Sequence, residues 1–286
     1  MMEQKSVIQS MAKRYPQLYV APSPDSEEAY KRAVQAGEEP EDKSLSHFTG
    51  SQEDRLETVH TGAGDVEVLT LFLRADFETF EQIILYRAKP AEILPSVGAE
   101  TIIGLRDWAD LHKHMEDFRE LGEEEYWEEL KRYAKEKSGE RPTLILLSSG
   151  PYSAVTAKQA GMGEEEWLLT SLKIRKYHEL CHFMCRKSCP ELAHPLWDEL
   201  VADMYGLLMA VNCYDPDLAA LFLGVDQAGY HGGRLIHYLG EEEKKALEDT
   251  AQRTYKAIKE LSGFVEEYKG EIGLDMLIEL TTHPML

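Results

Sequence analysis

The chain has few cysteines and no long apolar run. Its 286 residues include four Cys, three of them (Cys181, Cys185, Cys189) four residues apart and Cys213 alone. That is no disulfide framework. The three are not C-x-x-C, and no second cluster completes a zinc ribbon. Residues 1–20 lack the apolar core of a signal peptide, and no segment nears the length of a membrane span. A reducing cytoplasm is the expected location. Positive charge is scarce as well. Lys and Arg number 31 against 52 Asp and Glu, a formal net charge of −21, which argues against nucleic acid and anionic membrane as partners. No internal repeat is found, which excludes solenoids and propellers.

What is present suffices for a large core and one or two domains. Residues 1–64 read as a polar, acidic N-terminal region. Pro22, Pro24, Gly37, Pro40, Gly50, Gly62 and Gly64 interrupt it, with a short helix over 26–36, and the packed core is expected to begin later. Residues 65–155 read as a mixed α/β part with a small sheet. Strands fall at 66–73 and, most clearly, at 143–148, where an apolar run is bounded by Pro142 and Gly150. Residues 101–105 form a short strand or loop. Helices fall at 77–86 and 107–137, the second broken near Gly122. Residues 156–286 read as a helical catalytic part that includes one long charged helix over 240–268. The expected fold is α+β and predominantly α-helical, with 65–286 as one compact unit.

Chemistry concentrates at His178-Glu179-Leu180-Cys181-His182, which reads H-E-x-x-H. Residues four apart share a helix face, so two imidazoles there can bind one divalent ion, and the Glu can deprotonate a water beside it. The context supplies a helix. Glu164, Glu165 and Glu166 open it, where the helix dipole favours acids, and no Pro follows until Pro190, so it ends near 187–189. Pro195 opens a second helix with Leu196, Leu200, Val201, Met204, Leu207 and Leu208 at helical spacing. Within it Glu199 and Asp203 share one face among apolar residues. Buried carboxylates need a cation or donors, and an ion held by two His is such a cation.

H-E-x-x-H followed by Glu199-Leu200-Val201-Ala202-Asp203 resembles the gluzincin metallopeptidases, whose signature is H-E-x-x-H with a downstream E-x-x-x-D. The resemblance spans about residues 164–209, with a His182-to-Glu199 interval short for that group. It implies a zincin-like helix pair and Zn2+ as cofactor. His178, His182 and Glu199 would be ligands and Glu179 the general base, with Asp203 orienting His178. A peptide or protein is the implied substrate.

Rivals remain for the ligand positions. Asp198 adjoins Glu199 but does not share a face with Asp203. Cys185 and Cys189 fall on the stripe of the two His. Two further segments bear on the site. Residues 148–155 lie where gluzincins carry a substrate-binding sheet edge, and Pro151 suits an edge. Residues 230–238 offer His, Tyr and Arg around Gly232-Gly233. His231 and Arg234 are the first candidates there to stabilise charge on a reacting carbonyl oxygen. The functional expectation is a zinc-dependent hydrolase, most simply a metallopeptidase. The alternative is a helical binding or regulatory protein with a structural or degenerate metal site.

Overall fold

The computed structural model describes residues 6–38, 40, 42–95, 97–137, 142–188 and 195–282. It is mainly helical with one four-stranded mixed sheet. The chain divides into two compact units. The first comprises Met1–Thr58, Val66–Val97 and Thr101–Ser148, and the second Val59–Asp65, Gly98–Glu100 and Ser149–Leu286.

The first unit runs from α1 (Ser6–Arg14) through α2 (Glu27–Lys31), which continues as a π turn over Arg32–Ala36, to the hairpin of β1 (Arg55–Thr61) and β2 (Gly64–Leu71), whose tip at Val59–Asp65 counts with the second unit. Then come α3 (Arg74–Tyr86), β3 (Ala99–Ile102), α4 (Trp108–Glu116), α5 (Glu123–Glu136) and β4 (Leu144–Ser148). Asp107 caps α4 by accepting from the Asp110 N–H, and Gly122 precedes α5, as the expected break requires. The sheet order is β1-β2-β4-β3, and β2 and β4 are parallel, with Leu69 opposite Leu146. Every residue of β4 is buried. An unbroken apolar run is what a strand covered on both faces needs.

The core does not wait for residue 65. Ile8, Met11, Tyr15, Leu18 and Phe48 are buried with Leu69, Leu71, Phe77, Phe80, Leu144 and Leu146. Residues 1–64 are therefore no separate polar region. Their few apolar side chains fall on one side of short elements, and the acids around them mask the pattern. β1 was hidden because none of its residues is fully buried and its exposed and half-buried positions do not alternate strictly. Nor are residues 148–155 a sheet edge. β4 lies inside the sheet, and beyond Ser148 the chain turns into a short 3-10 segment, Tyr152–Ala154.

The second unit is built on α6 (Glu164–Ser188) and α7 (Pro195–Val211), with α8 (Pro216–Leu223), the ribbon of β5 (Val225–Asp226) and β6 (Gly229–Tyr230), and a 3-10 turn at Arg234–Tyr238. It closes with α9 (Glu241–Lys245), α10 (Leu247–Glu267) and α11 (Leu274–Thr282). The expected single helix over 240–268 is thus two. Ala246, at φ −108° and ψ 36°, leaves helical geometry between them. α7 is apolar almost throughout, and Leu196, Leu200, Val201, Met204, Leu207 and Leu208 are all buried. Gly206 sets how closely α6 and α7 approach: a Cβ there would lie 2.9 Å from the Ile174 carbonyl oxygen. Trp197 ties α7 to α11 by donating to the Leu280 carbonyl at 3.0 Å.

Candidate metal centre

That close approach brings the acids of α7 against the histidines of α6. Among the described residues, His178, His182 and Glu199 form a group whose potential ligand atoms all lie within 4.8 Å of one another. The two imidazole Nε2 atoms are 3.1 Å apart. Glu199 sets Oε2 3.5 Å from His178 Nε2 and Oε1 3.4 Å from His182 Nε2.

These spacings test what the group can hold. Zinc bonds of ~2.0–2.1 Å in a tetrahedron put neighbouring ligand atoms roughly 3.3–3.4 Å apart. Octahedral bonds of that length put them roughly 2.9 Å apart. The imidazole spacing of 3.1 Å falls between the two, and each Glu199 oxygen lies at tetrahedral spacing from one imidazole, so a small shift of the carboxylate would bring one oxygen to both.

A carboxylate of α7 stands behind each imidazole, hydrogen-bonded to it at His178. Asp203 Oδ1 lies 2.9 Å from His178 Nδ1, and Asp198 Oδ2 lies 2.8 Å from His182 Nδ1 as an ion-pair contact in which that Nδ1 makes no hydrogen bond. A carboxylate behind Nδ1 keeps the proton there and aims the Nε2 lone pair forward. Two lone pairs and a carboxylate then face one point, which is repulsive unless a cation occupies it. The titration of the groups follows. Burial works against charge on both histidines, but Asp203 and Glu199 raise His178, and Asp198 and Glu199 raise His182 well above the ordinary range. Burial also opposes charge on Glu199, yet the two histidines hold its carboxyl well below the usual value. The pocket attracts positive charge, whether as protons or as a metal ion.

Asp203 is itself held by three neighbours. Besides His178, the Tyr152 hydroxyl donates to Oδ1 at 2.6 Å, and Arg234 Nη2 donates to Oδ1 at 2.7 Å and Oδ2 at 2.5 Å. Despite complete burial its pKa is lowered, with Arg234 and then His178 and Tyr152 offsetting the lost hydration. The Tyr152 hydroxyl also lies 2.9 Å from His178 Nδ1. The Arg234 guanidinium sits 4.8 Å from the centre of the Tyr152 ring and 5.8 Å from that of Tyr238.

The chain belongs to a family of unknown function, DUF7005. The family's profile matches residues 2–286. No curated protein and no solved structure matches it.

Of the residues expected at the centre of this DUF7005 chain, His178, His182 and Glu199 are brought together and Asp203 stands behind His178. Arg234 joins the group through Asp203, but His231 does not. Its Nε2 pairs with Asp226 at 2.7 Å, and both side chains are 54% exposed. Gly233 does allow a close approach, but to protein backbone, while Gly232 faces open space and serves its positive φ of 93°. A Cβ on Gly233 would lie 2.5 Å from Gly224 N, at the end of α8. Of the rival ligands, Asp198 stands behind His182 rather than beside Glu199. Cys185 is buried with its sulfur 3.9 Å from Cys181 Sγ and outside the ligand group. Cys189 lies outside the described residues. Glu179 is half-buried, and its charge, after burial, raises the pKa of Glu100 at the start of β3.

Two site residues escaped the sequence reading. Tyr152 sits 26 positions before His178, in a segment read as backbone only. Tyr238, whose phenol is raised by burial and by Glu199 against the opposing Arg234, stood in a stretch where His231 was preferred. No spacing rule ties either tyrosine to the motif.

Proposed function

We propose that this chain is a zinc-dependent hydrolase of the zincin type, acting on amide bonds and most simply on peptides. One observation carries the reading: two imidazoles and a carboxylate converge within 4.8 Å of one another, with a carboxylate behind each imidazole and Glu179 next in sequence to the first ligand. His178, His182 and Glu199 would hold the ion. That is three protein ligands, the number that leaves a fourth position for water in catalytic sites. Bound there, zinc would polarise a substrate carbonyl and acidify a water.

The chain's own residues would do the rest. Glu179 takes the proton of the attacking water on its carboxylate and returns it to the leaving amine. Asp203 keeps His178 as the Nδ1–H tautomer, and the charge of Asp198 favours the same state at His182. Tyr238, whose phenol interacts with Glu199, donates toward the carbonyl oxygen as charge develops. Arg234 supports it from between the two tyrosine rings.

Metal analysis of the purified protein tests the reading, with one zinc per chain expected. Glu179→Gln should retain that zinc and lose peptide hydrolysis. Zinc near zero, or zinc unchanged after both His178→Ala and His182→Ala, overturns it.

A further inference from the structure

Four buried residues of α6, Trp167, Ser171, Arg175 and His178, follow one another at spacings of four, four and three. They form one stripe of the helix, and all of them meet the same turn, Gly150–Val155. Trp167 Nε1 donates to the Val155 carbonyl at 2.7 Å, and Ser171 Oγ accepts from the Tyr152 N–H at 3.0 Å. Arg175 donates to the Gly150 carbonyl at 3.4 Å and the Pro151 carbonyl at 3.2 Å. At the stripe's end His178 meets the Tyr152 hydroxyl at 2.9 Å.

The turn does not hold itself. Gly150, Ser153 and Ala154 all have positive φ, at 130°, 54° and 58°. Side-chain-bearing residues in that region persist only where the surroundings impose it. Arg175 is the one charged residue of the stripe. Its guanidinium lies 5.7 Å from the centre of the Tyr152 ring. It fills the space where Gly98 has no side chain, a Cβ on Gly98 falling 2.6–2.8 Å from its Nε, Nη2 and Cζ.

We propose that Arg175 is a positioning residue of the metal site: by holding the carbonyls of Gly150 and Pro151 it fixes the turn that brings the Tyr152 hydroxyl to Asp203 and His178. It acts through Tyr152, never on substrate. The inference rests on the metal reading above.

Zinc affinity measured by chelator competition tests it, without reference to activity. Loss of a group that orients a metal-bound His costs about 10- to 100-fold in affinity. Tyr152→Phe, which keeps the ring against Phe222, should weaken zinc binding by about 10-fold. Arg175→Lys, which keeps the charge but loses the fork, should do the same. The double variant should be no weaker than Tyr152→Phe alone, because one path is cut twice. If Arg175→Lys fails to fold, Gly98→Ala takes its place, since its added Cβ displaces the guanidinium without removing it. A wild-type affinity in the Arg175 or Gly98 variant overturns the proposal. So does a double variant whose loss is the product of the single losses. A wild-type protein that takes up no zinc overturns the metal reading itself, and this inference with it.

Discussion

Asp203 Oδ1 lies 2.9 Å from His178 Nδ1, and this contact fixes which imidazole nitrogen faces the ligand group. An imidazole has two tautomers, and the partner of one nitrogen selects the state of the other. With the proton on Nδ1, Nε2 presents a lone pair 3.1 Å from that of His182. The same carboxylate takes donors from Tyr152 and Arg234, so its charge and its orientation are both set by the protein itself. Such preorganisation is what a tight metal site requires.

Asp203→Asn should therefore weaken zinc binding by about 10- to 100-fold while leaving all three ligands in place. The amide carries one acceptor oxygen instead of two and turns an N–H2 toward Arg234 or His178. Chelator competition reads the loss directly. Asp198→Asn should act in the same direction through His182. Equal zinc affinity in wild type and Asp203→Asn would mean that the carboxylate serves packing alone.

The pentad, the two helices and the acids of α7 were legible because each rests on a local period: four residues between histidines, four between Glu199 and Asp203. β4 was legible because a run of buried apolar residues has few other uses. What was not legible depends on long-range contacts. Tyr152 reaches His178 only because Gly150, Ser153 and Ala154 turn the chain back, and no propensity favours positive φ at Ser or Ala. His231 ranked above Tyr238 on chemistry alone. Its actual partner, Asp226, is set by the β5–β6 ribbon, two strands too short to read from sequence. The N-terminal core residues were missed because the acids between them dominated the composition.

Tyr15 links the buried N-terminal helix to alkaline stability. It is fully buried, and burial pushes its phenol up to about 12, with Arg14 opposing. Below about pH 10 the phenol is neutral in both the folded and the unfolded chain. Between about 10 and 12 only the unfolded chain loses the proton, so stability falls as pH rises through this window. The loss is on the order of 2 kcal/mol for a separation of that size. Tyr15→Phe should flatten the fall relative to wild type in urea melts at pH 9 to 12. Parallel pH profiles for the two proteins would assign the alkaline loss to other groups.

His231 and Tyr238 give opposite predictions for hydrolysis. His231 is exposed and paired with Asp226, so His231→Ala should leave kcat and zinc content within about twofold of wild type. Tyr238→Phe removes one donor toward the developing oxyanion, an effect that costs about 100- to 1000-fold in kcat at comparable sites. Its zinc content should stay at one per chain. A large loss in His231→Ala, with Tyr238→Phe fully active, would reverse the assignment.

Gly206 offers a test by sign. Replacing a mid-helix Gly by Ala ordinarily stabilises by about 0.5–1 kcal/mol, because Ala loses less backbone freedom on folding. At Gly206 the new Cβ would lie 2.9 Å from the Ile174 carbonyl oxygen, 3.2 Å from Ile174 Cγ2 and 3.5 Å from His178 N. The first of these neighbours is backbone, so α6 and α7 must separate. Overpacking of this kind costs about 1–3 kcal/mol, which outweighs the propensity gain. Separation also draws Glu199 and Asp203 away from His178. Gly206→Ala should thus be less stable than wild type in urea and weaker in zinc binding, whereas Gly263→Ala, on α10 with open space around it, should be more stable and bind zinc unchanged. If Gly206→Ala proves more stable with full zinc affinity, the close approach of the two helices is not what assembles the centre.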